Sequence, residues 1–352
     1  MRCRDLRIDA DMLARVVEEM AGETPFSGVA RVSLHGEVVL DRAWGYRNRA
    51  DRLRCESDTR FGMASGSKTF TAVAVCRLAD EGRLSLDDSL HDCLSEDLAG
   101  IDEGVTIRHL LTHTSGVADY FDEEEMGDVE FESLWSDRPA YRMRRPRDIY
   151  EMFEGKGMKL RPGERFSYSN GGFVLLGMVI EETSGTAFSR FVEESVLRRA
   201  GMEDSGYFAM DDLPPRSALG YVEGEDGWKT NIYSVPAVGQ PDGGAFTTAP
   251  DMERFWDALL SGVLLSPDAV RELTTPQAGA SGGESYGLGL WIRDLGNGSL
   301  LRYASGSDPG VGFNSGYLGN GAVKITVIRN TDGPCWKVFM GLVSLLKEFL
   351  NE

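Results

Sequence analysis

Ser65 and Lys68 stand three residues apart at the head of an apolar run, within Phe61-Gly62-Met63-Ala64-Ser65-Gly66-Ser67-Lys68-Thr69-Phe70-Thr71-Ala72. Small residues leading into a helical pattern place Ser65 at the first turn of a helix and Lys68 one turn further along the same face. A serine hydroxyl is a weak nucleophile at neutral pH. An amine beside it, held partly away from water, has its pKa lowered far enough to take the hydroxyl proton. Free N–H groups at the helix start can hold the oxyanion formed when the serine attacks a carbonyl. The pair alone is a weak signal, because a second Ser-x-x-Lys occurs at Ser344 and Lys347 in an amphipathic C-terminal stretch. A helix N-cap with a surface lysine has the same spacing.

The elements that must position such a pair are read from the rest of the chain. Its 352 residues, 41% of them apolar, suffice for one large or two ordinary globular domains. Acidic residues outnumber basic ones 56 to 37, a formal charge of -19, which argues against nucleic acid or an anionic membrane as partner. Five cysteines, at 3, 55, 76, 93 and 335, are odd in number and hold no Cys-x-x-Cys pair. Neither a disulfide framework nor a zinc cluster is indicated, and a reducing compartment fits best. The stretch Met1 to Asp9 lacks the apolar core of a secretion signal, and no run of about 18 apolar residues occurs to span a bilayer. A cytoplasmic protein without a membrane partner is expected.

Met12, Leu13, Val16, Val17 and Met20 give an N-terminal helix that stops at Gly22, and Gly28 to Leu34 with Glu37 to Ala43 read as a hairpin around His35-Gly36. The middle of the chain is helix-prone. His109 and His113 have the spacing of a helical metal pair, but Thr114-Ser115-Gly116 breaks the helix and no third ligand follows, so capping or packing is the better reading. No metal site is expected. Residues 119–147 are crowded with charge and carry Tyr120, Phe121, Trp135 and Tyr141, the composition of an exposed insertion or lid. A solvated loop without a role fits that composition equally well. From Tyr286 onward the texture is of strands: Gly287 to Ile292, Leu300 to Tyr303, Gly312 to Tyr317 and Ala322 to Ile328, separated by Gly, Asn and Asp turns, with a closing helix from Val338 to Leu350. The expected class is α+β, with an antiparallel sheet built from both chain ends, flanked by helices and carrying a mostly helical insertion. The division is residues 1–80 with 275–352 as the sheet domain and 81–274 as the helical domain, with 119–147 as its lid.

Three patterns recur in order: Ser65-x-x-Lys68, then Tyr168-x-Asn170, then the small-residue segment Ala304-Ser305-Gly306-Ser307 at a strand end. Another Tyr-x-Asn, at Tyr46 and Asn48, precedes Ser65 in a charged turn and reads as coincidence. With these three, Leu110 to Gly116, Pro162-Gly163, Gly243 to Met252, Tyr286 to Gly289 and Pro309-Gly310, the chain resembles the serine β-lactamase and penicillin-binding-protein superfamily over roughly residues 10 to 350. The likeness is to the branch that holds class C β-lactamases, D-Ala-D-Ala carboxypeptidases, D-aminopeptidases and β-lactamase-like esterases.

The resemblance implies a β-lactamase/transpeptidase-like fold and a role for each matched residue. Ser65 would become acylated, Lys68 would help deprotonate it, and Tyr168 would act as general base and later as acid toward the leaving group. Asn170 would hold Lys68 and the substrate amide, and the backbone N–H groups of Ser65 and Ser307 would form the oxyanion hole. No cofactor is implied. The substrate would be a small ester, amide or peptide, and covalent adducts with β-lactams fall within the expected chemistry. A tyrosine titrates near 10, and the neighbouring Lys68 ammonium is what would lower that value. One departure stands out: the third motif opens on Ala304, where most members carry lysine or histidine. The missing cation normally holds a substrate carboxylate, which argues against β-lactamase and carboxypeptidase activity. Arg302, two residues earlier on the same strand face, offers a substitute beside Ala304, Ser305 and Gly306 in binding substrate, although an ion-paired or surface strand residue is the commoner role. Two readings stay open: a serine hydrolase, and a catalytically impaired ligand-binding or sensor protein on the same fold.

Overall fold

The computed structural model describes residues 9–126, 131–296 and 298–348. Cys3 and residues 127–130 of the expected lid lie outside them. In chain order the helices are α1 (Ala10–Ala21), α2 (Lys68–Asp80), α3 (Leu90–Cys93), α4 (Ile107–Leu111), α5 (Pro146–Tyr150), α6 (Asn170–Ser184), α7 (Phe188–Val192), α8 (Ala249–Leu260), α9 (Pro267–Leu273) and α10 (Cys335–Leu346). The strands are β1 (Gly28–Leu34), β2 (Glu37–Trp44), β3 (Tyr46–Asn48), β4 (Leu53–Arg54), β5 (Phe61–Gly62), β6 (Tyr221–Gly224), β7 (Gly227–Thr230), β8 (Phe246–Thr247), β9 (Ala278–Gly279), β10 (Glu284–Tyr286), β11 (Trp291–Asp294), β12 (Leu300–Asp308), β13 (Val311–Leu318) and β14 (Val323–Arg329).

Eight strands form one antiparallel sheet in the order β2-β1-β14-β13-β12-β11-β10-β9, so both ends of the chain contribute, as expected for the α+β class. The β1–β2 hairpin turns at His35-Gly36, both at positive φ (49° and 85°), the geometry that matches the twist of the flanking strands. Inside the sheet, third from the β2 edge, lies β14, whose seven residues Val-Lys-Ile-Thr-Val-Ile-Arg are all buried. Its alternation sorts the faces, with Val323, Ile325 and Val327 in the core under α1 and α10, and Lys324 paired with Asp257 of α8 on the other side. Here α1 and α10 cover one face, burying Leu13, Val17, Val338 and Leu342 against Val32, Ile325 and Val327. On the other face α8 and α2 begin a larger core that continues through Phe70, Phe255 and Trp256 into the helical region.

α6 is the axis of that helical region. Its residues from Asn170 to Ile180 are all buried, which requires apolar residues all round. Ser169 caps its start by accepting from the Gly172 N–H (3.0 Å), and Gly185 in the left-handed conformation ends it. Gly177, midway along, allows close approach: a Cβ there would lie 2.0 Å from Pro241 Cγ.

One expected strand is displaced, starting only at Trp291 in β11. Gly287 to Ile292 reads as a strand by alternation, but the chain turns there, with the Gly287 N–H donating to the Leu290 carbonyl (2.9 Å) between β10 and β11. Gly289 is at φ 76°, and a Cβ on it would lie 2.2 Å from Ala72 Cβ, so the glycines serve a tight turn packed on α2 rather than a strand. Conversely, β12 runs on past Tyr303 through Ser307 to Asp308.

Candidate active site

Ser65 sits on a 3-10 turn, Ala64–Ser67, that feeds α2. The turn is pinned from two sides. The Met63 N–H donates to the Ala245 carbonyl (2.9 Å) and the Gly244 N–H to the Ala64 carbonyl (3.1 Å), tying it to the loop before β8. Ala64 takes a left-handed φ of 46°, a strained value for a residue with a side chain and a mark of a sharp turn that presents the next residue. On the other side β12 presses against the turn at Gly306. A Cβ there would lie 2.2 Å from the Met63 carbonyl oxygen, 2.6 Å from the Gly66 nitrogen and 2.8 Å from the Ser65 nitrogen. That close approach brings Ser307 alongside Ser65, and both residues line the two cavities that meet there.

Lys68 is 2% exposed. Its ammonium group finds three acceptors: Ser65 Oγ at 3.0 Å, Asn170 Oδ1 at 2.7 Å and the Asp242 carbonyl. Burial nevertheless lowers its pKa from 10.5, opposed by the carboxylates of Asp242, Glu123, Asp119 and Asp308. Asn170, the first residue of α6, is held by Asp119, whose carboxylate accepts from the Asn170 N–H and from the Gly171 N–H (3.1 Å). Burial pushes Asp119 up to about 7. The Asp242 carbonyl is aimed by its turn: Thr71 Oγ1 donates to the Pro241 carbonyl (2.6 Å), and Pro241 rests on Gly177. The Asp242 side chain accepts from the Tyr120 hydroxyl.

The Tyr168 phenol lies beside Ser65, whose hydroxyl works to lower its pKa. Its ring lies 4.9 Å from Lys68 Nζ, 4.3 Å from the His113 ring and stacked at 6.2 Å on Trp291. Its ionisation differs from the expectation that Lys68 would lower it. The phenol is held well above 10, first by burial and then by the carboxylates of Glu123, Asp242 and Asp119, so it stays protonated. The group whose pKa is lowered toward neutrality here is Lys68.

His113 explains its own place in the pattern. Its Nδ1 accepts from the Ser169 N–H (3.1 Å), and its ring lies under Tyr168, Phe166, Phe173 and Tyr286. Burial, with Lys68 nearby, keeps it neutral. His109 caps α4 by exchanging hydrogen bonds with Thr106. The decoys fall elsewhere: Tyr46 and Asn48 lie in β3, and Ser344 and Lys347 at the end of α10.

The third motif divides between cleft and core. Ser305, Gly306 and Ser307 line the wider cleft with Tyr168, Trp291, Tyr303 and Trp336. Ala304 is 2% exposed and packs into the larger core. Arg302 turns away from the cleft, donating to the Thr274 carbonyl at the end of α9 (2.8 Å) and lying over the Tyr317 ring. It lines neither cavity, so it does not stand in for the missing cation. Arg165 and Arg293, the cations on the wider cleft, are paired with Glu124 and Glu284.

The β-lactamase family model matches residues 13–335. The chain belongs to the β-lactamase family, a superfamily of serine hydrolases. A penicillin-binding protein from Bacillus halodurans superposes with a TM-score of 0.88 at 42% identity, covering 95% of this chain and 99% of that one. A D-stereospecific amidohydrolase from Streptomyces sp. gives a TM-score of 0.78 at 25% identity, covering 98% and 99%. A penicillin-binding protein of Bacillus subtilis is 29% identical over 315 residues, 85% of this chain and 66% of its own length. The chain thus spans just under two thirds of that relative. Among the described residues no helix is long and apolar enough to cross a membrane.

Proposed function

We propose that the protein is a serine hydrolase that works through an acyl-enzyme on a small ester or amide, in the manner of an esterase or a peptidase of D-amino-acid peptides. The observation that carries this reading is Ser65 Oγ 3.0 Å from the nitrogen of a buried, pKa-depressed Lys68, with the Tyr168 ring 4.9 Å from that nitrogen. In acylation, Ser65 Oγ attacks the carbonyl carbon as its proton passes to neutral Lys68. The oxyanion is held by the N–H groups of Ser65 and Ser307. Tyr168, protonated at working pH, gives its proton to the leaving group and is refilled from Lys68. Water then attacks the ester carbonyl by the reverse relay, releasing the acid and restoring Ser65.

The family likeness, and the likeness to a D-stereospecific amidohydrolase, support an amide or ester as the scissile bond. Free thiols at Cys55, Cys76, Cys93 and Cys335 accord with the cytoplasm as compartment. Ala304 favours a second reading, a ligand-binding or sensor protein whose acylation is not followed by turnover. The two separate in Tyr168→Phe. With a panel of short p-nitrophenyl esters and D-alanyl peptides, the hydrolase reading expects steady-state turnover that Tyr168→Phe lowers by roughly a hundredfold or more. It also expects kcat/KM of the wild type to rise with pH as Lys68 loses its proton, since only the neutral amine accepts. Acylation without turnover in the wild type would establish the sensor instead.

A further inference from the structure

Among the described residues, Ser65, Ser307 and Glu123 alone border both the narrower cavity and the wider cleft. Ser65 is the nucleophile of the reading above and Ser307 supplies an oxyanion donor, but the acylation step makes no use of Glu123. The residues on either side of it are clamped. Asp122 accepts from Lys159 (2.6 Å), and Glu124 accepts from Lys159 (2.9 Å) and from both terminal nitrogens of Arg165 (2.9 Å each). The Phe121 carbonyl accepts from Asn170 Nδ2 (3.3 Å), which ties the segment to the start of α6. Between these anchors Glu123 is exposed, and its carboxylate accepts no hydrogen bond and forms no ion pair among the described residues. The other carboxylates of the wider cleft are occupied, Glu124 by its two cations and Glu284 by Arg293 (2.8 Å) and Tyr303. Asp242 and Asp308 border the narrower cavity only, and Asp242 is engaged by Tyr120.

Hydrolysis of an acyl-enzyme needs a group that water can reach and that can take a proton from it. Lys68 is buried and turned toward Ser65, Asn170 and Asp242. Tyr168 can accept a proton only after giving up its own, which burial and the nearby carboxylates oppose. Glu123 is open to the cleft and unengaged, and its charge is felt at Lys68, Tyr168 and Asp308.

Resting on the acyl-transfer reading and refining its second half, we infer that Glu123 is the general base of deacylation. Water between Glu123 and the ester attacks the carbonyl carbon as its proton passes to the Glu123 carboxylate. The bond from that carbon to Ser65 Oγ then breaks, and Oγ takes a proton from Tyr168, which again acts as acid toward the group that leaves. Glu123 returns its proton to the Tyr168 phenolate across the cleft that both line. The free acid departs with every group restored.

Glu123→Gln, a change at an exposed position, separates the two halves of the reaction. With p-nitrophenyl acetate the variant is expected to release a stoichiometric burst of p-nitrophenol and then turn over roughly a hundredfold more slowly than the wild type. Intact-mass analysis is expected to show the acetyl group held on Ser65. Acylation is expected to be kept or slightly faster, because the Glu123 charge opposes the lowering of the Lys68 pKa. Hydroxylamine, which attacks esters without help from a base, is expected to release the held acetyl group and restore turnover. Steady-state turnover within about twofold of the wild type, a parallel loss of burst and turnover, or an acetyl group that hydroxylamine does not release overturns the inference. If any of these occurs while the wild type hydrolyses the ester, Glu123 alone is wrong. If the wild type hydrolyses no ester and Ser65 is not labelled by a fluorophosphonate, the hydrolase reading falls with it. A wild type that holds its acetyl group without turnover establishes the sensor and removes the step.

Discussion

Lys68→Met is expected to lower kcat on a p-nitrophenyl ester by roughly a thousandfold or more while leaving thermal stability nearly unchanged. The two halves of that expectation have separate causes. Methionine keeps most of the buried volume, so no large cavity is opened. It leaves Ser65 Oγ, Asn170 Oδ1 and the Asp242 carbonyl without their shared donor, at a cost of about 1–3 kcal/mol for each acceptor that stays dry. Against this, the variant no longer has to strip an ammonium of water, a penalty of several kcal/mol in itself. The terms are of similar size and opposite sign for stability. For catalysis nothing compensates, because Met cannot accept the Ser65 proton. Steady-state kinetics and a thermal melt on the same sample read both halves. A variant that keeps a tenth of wild-type kcat would remove Lys68 as the base.

Gly306→Ala is expected to damage both activity and stability through a single methyl group. An ideal Cβ there would sit 2.2 Å from the Met63 carbonyl oxygen and within 2.8 Å of the Ser65 nitrogen, and both obstacles are backbone. Real Cβ atoms do not approach so closely, so either β12 or the Ser65 turn must move. Overpacking of this kind costs about 1–3 kcal/mol. A shift near 1 Å between Ser65 and Ser307 would take the oxyanion donors off target and cost on the order of a hundredfold in kcat. Thermal melts and ester hydrolysis check the pair of effects together. A fully active, fully stable Gly306→Ala protein would mean that β12 does not set the oxyanion geometry.

The candidate site's cluster and the architecture are legible in the sequence because both rest on local pattern. Ser65, Lys68, Tyr168 and Asn170 occupy short motifs at helix starts, and the structure brings all four together, Lys68 donating to Ser65 Oγ and Asn170 Oδ1 with the Tyr168 ring 4.9 Å from its Nζ. The sheet from both chain ends followed from strand-like segments at either end. What escaped has physical reasons. The third acceptor for Lys68 is a backbone carbonyl at Asp242, which any residue type supplies; the hints were the Pro241-Asp242-Gly243-Gly244 turn and Gly177 within α6. Asp119 and Asp308 gain their positions from packing between segments far apart in the chain. The ionisation of Tyr168 escapes its sequence because burial and the carboxylates of Glu123, Asp242 and Asp119, all set by tertiary packing, outweigh the one neighbouring cation. Gly287 to Leu290 alternates like a strand, yet the φ of Gly289 and its contact with Ala72 make it a turn.

Lys68, Tyr168 and the turn at Gly306 all serve one atom, the Ser65 hydroxyl oxygen. Its reactivity is read most directly by intact-mass analysis after incubation with a fluorophosphonate, followed by peptide mapping. The expected result is a single stoichiometric adduct on Ser65, absent from Ser65→Ala and strongly slowed in Lys68→Met. No adduct on the wild-type protein at saturating reagent, or an adduct that persists in Ser65→Ala, would contradict Ser65 as the nucleophile.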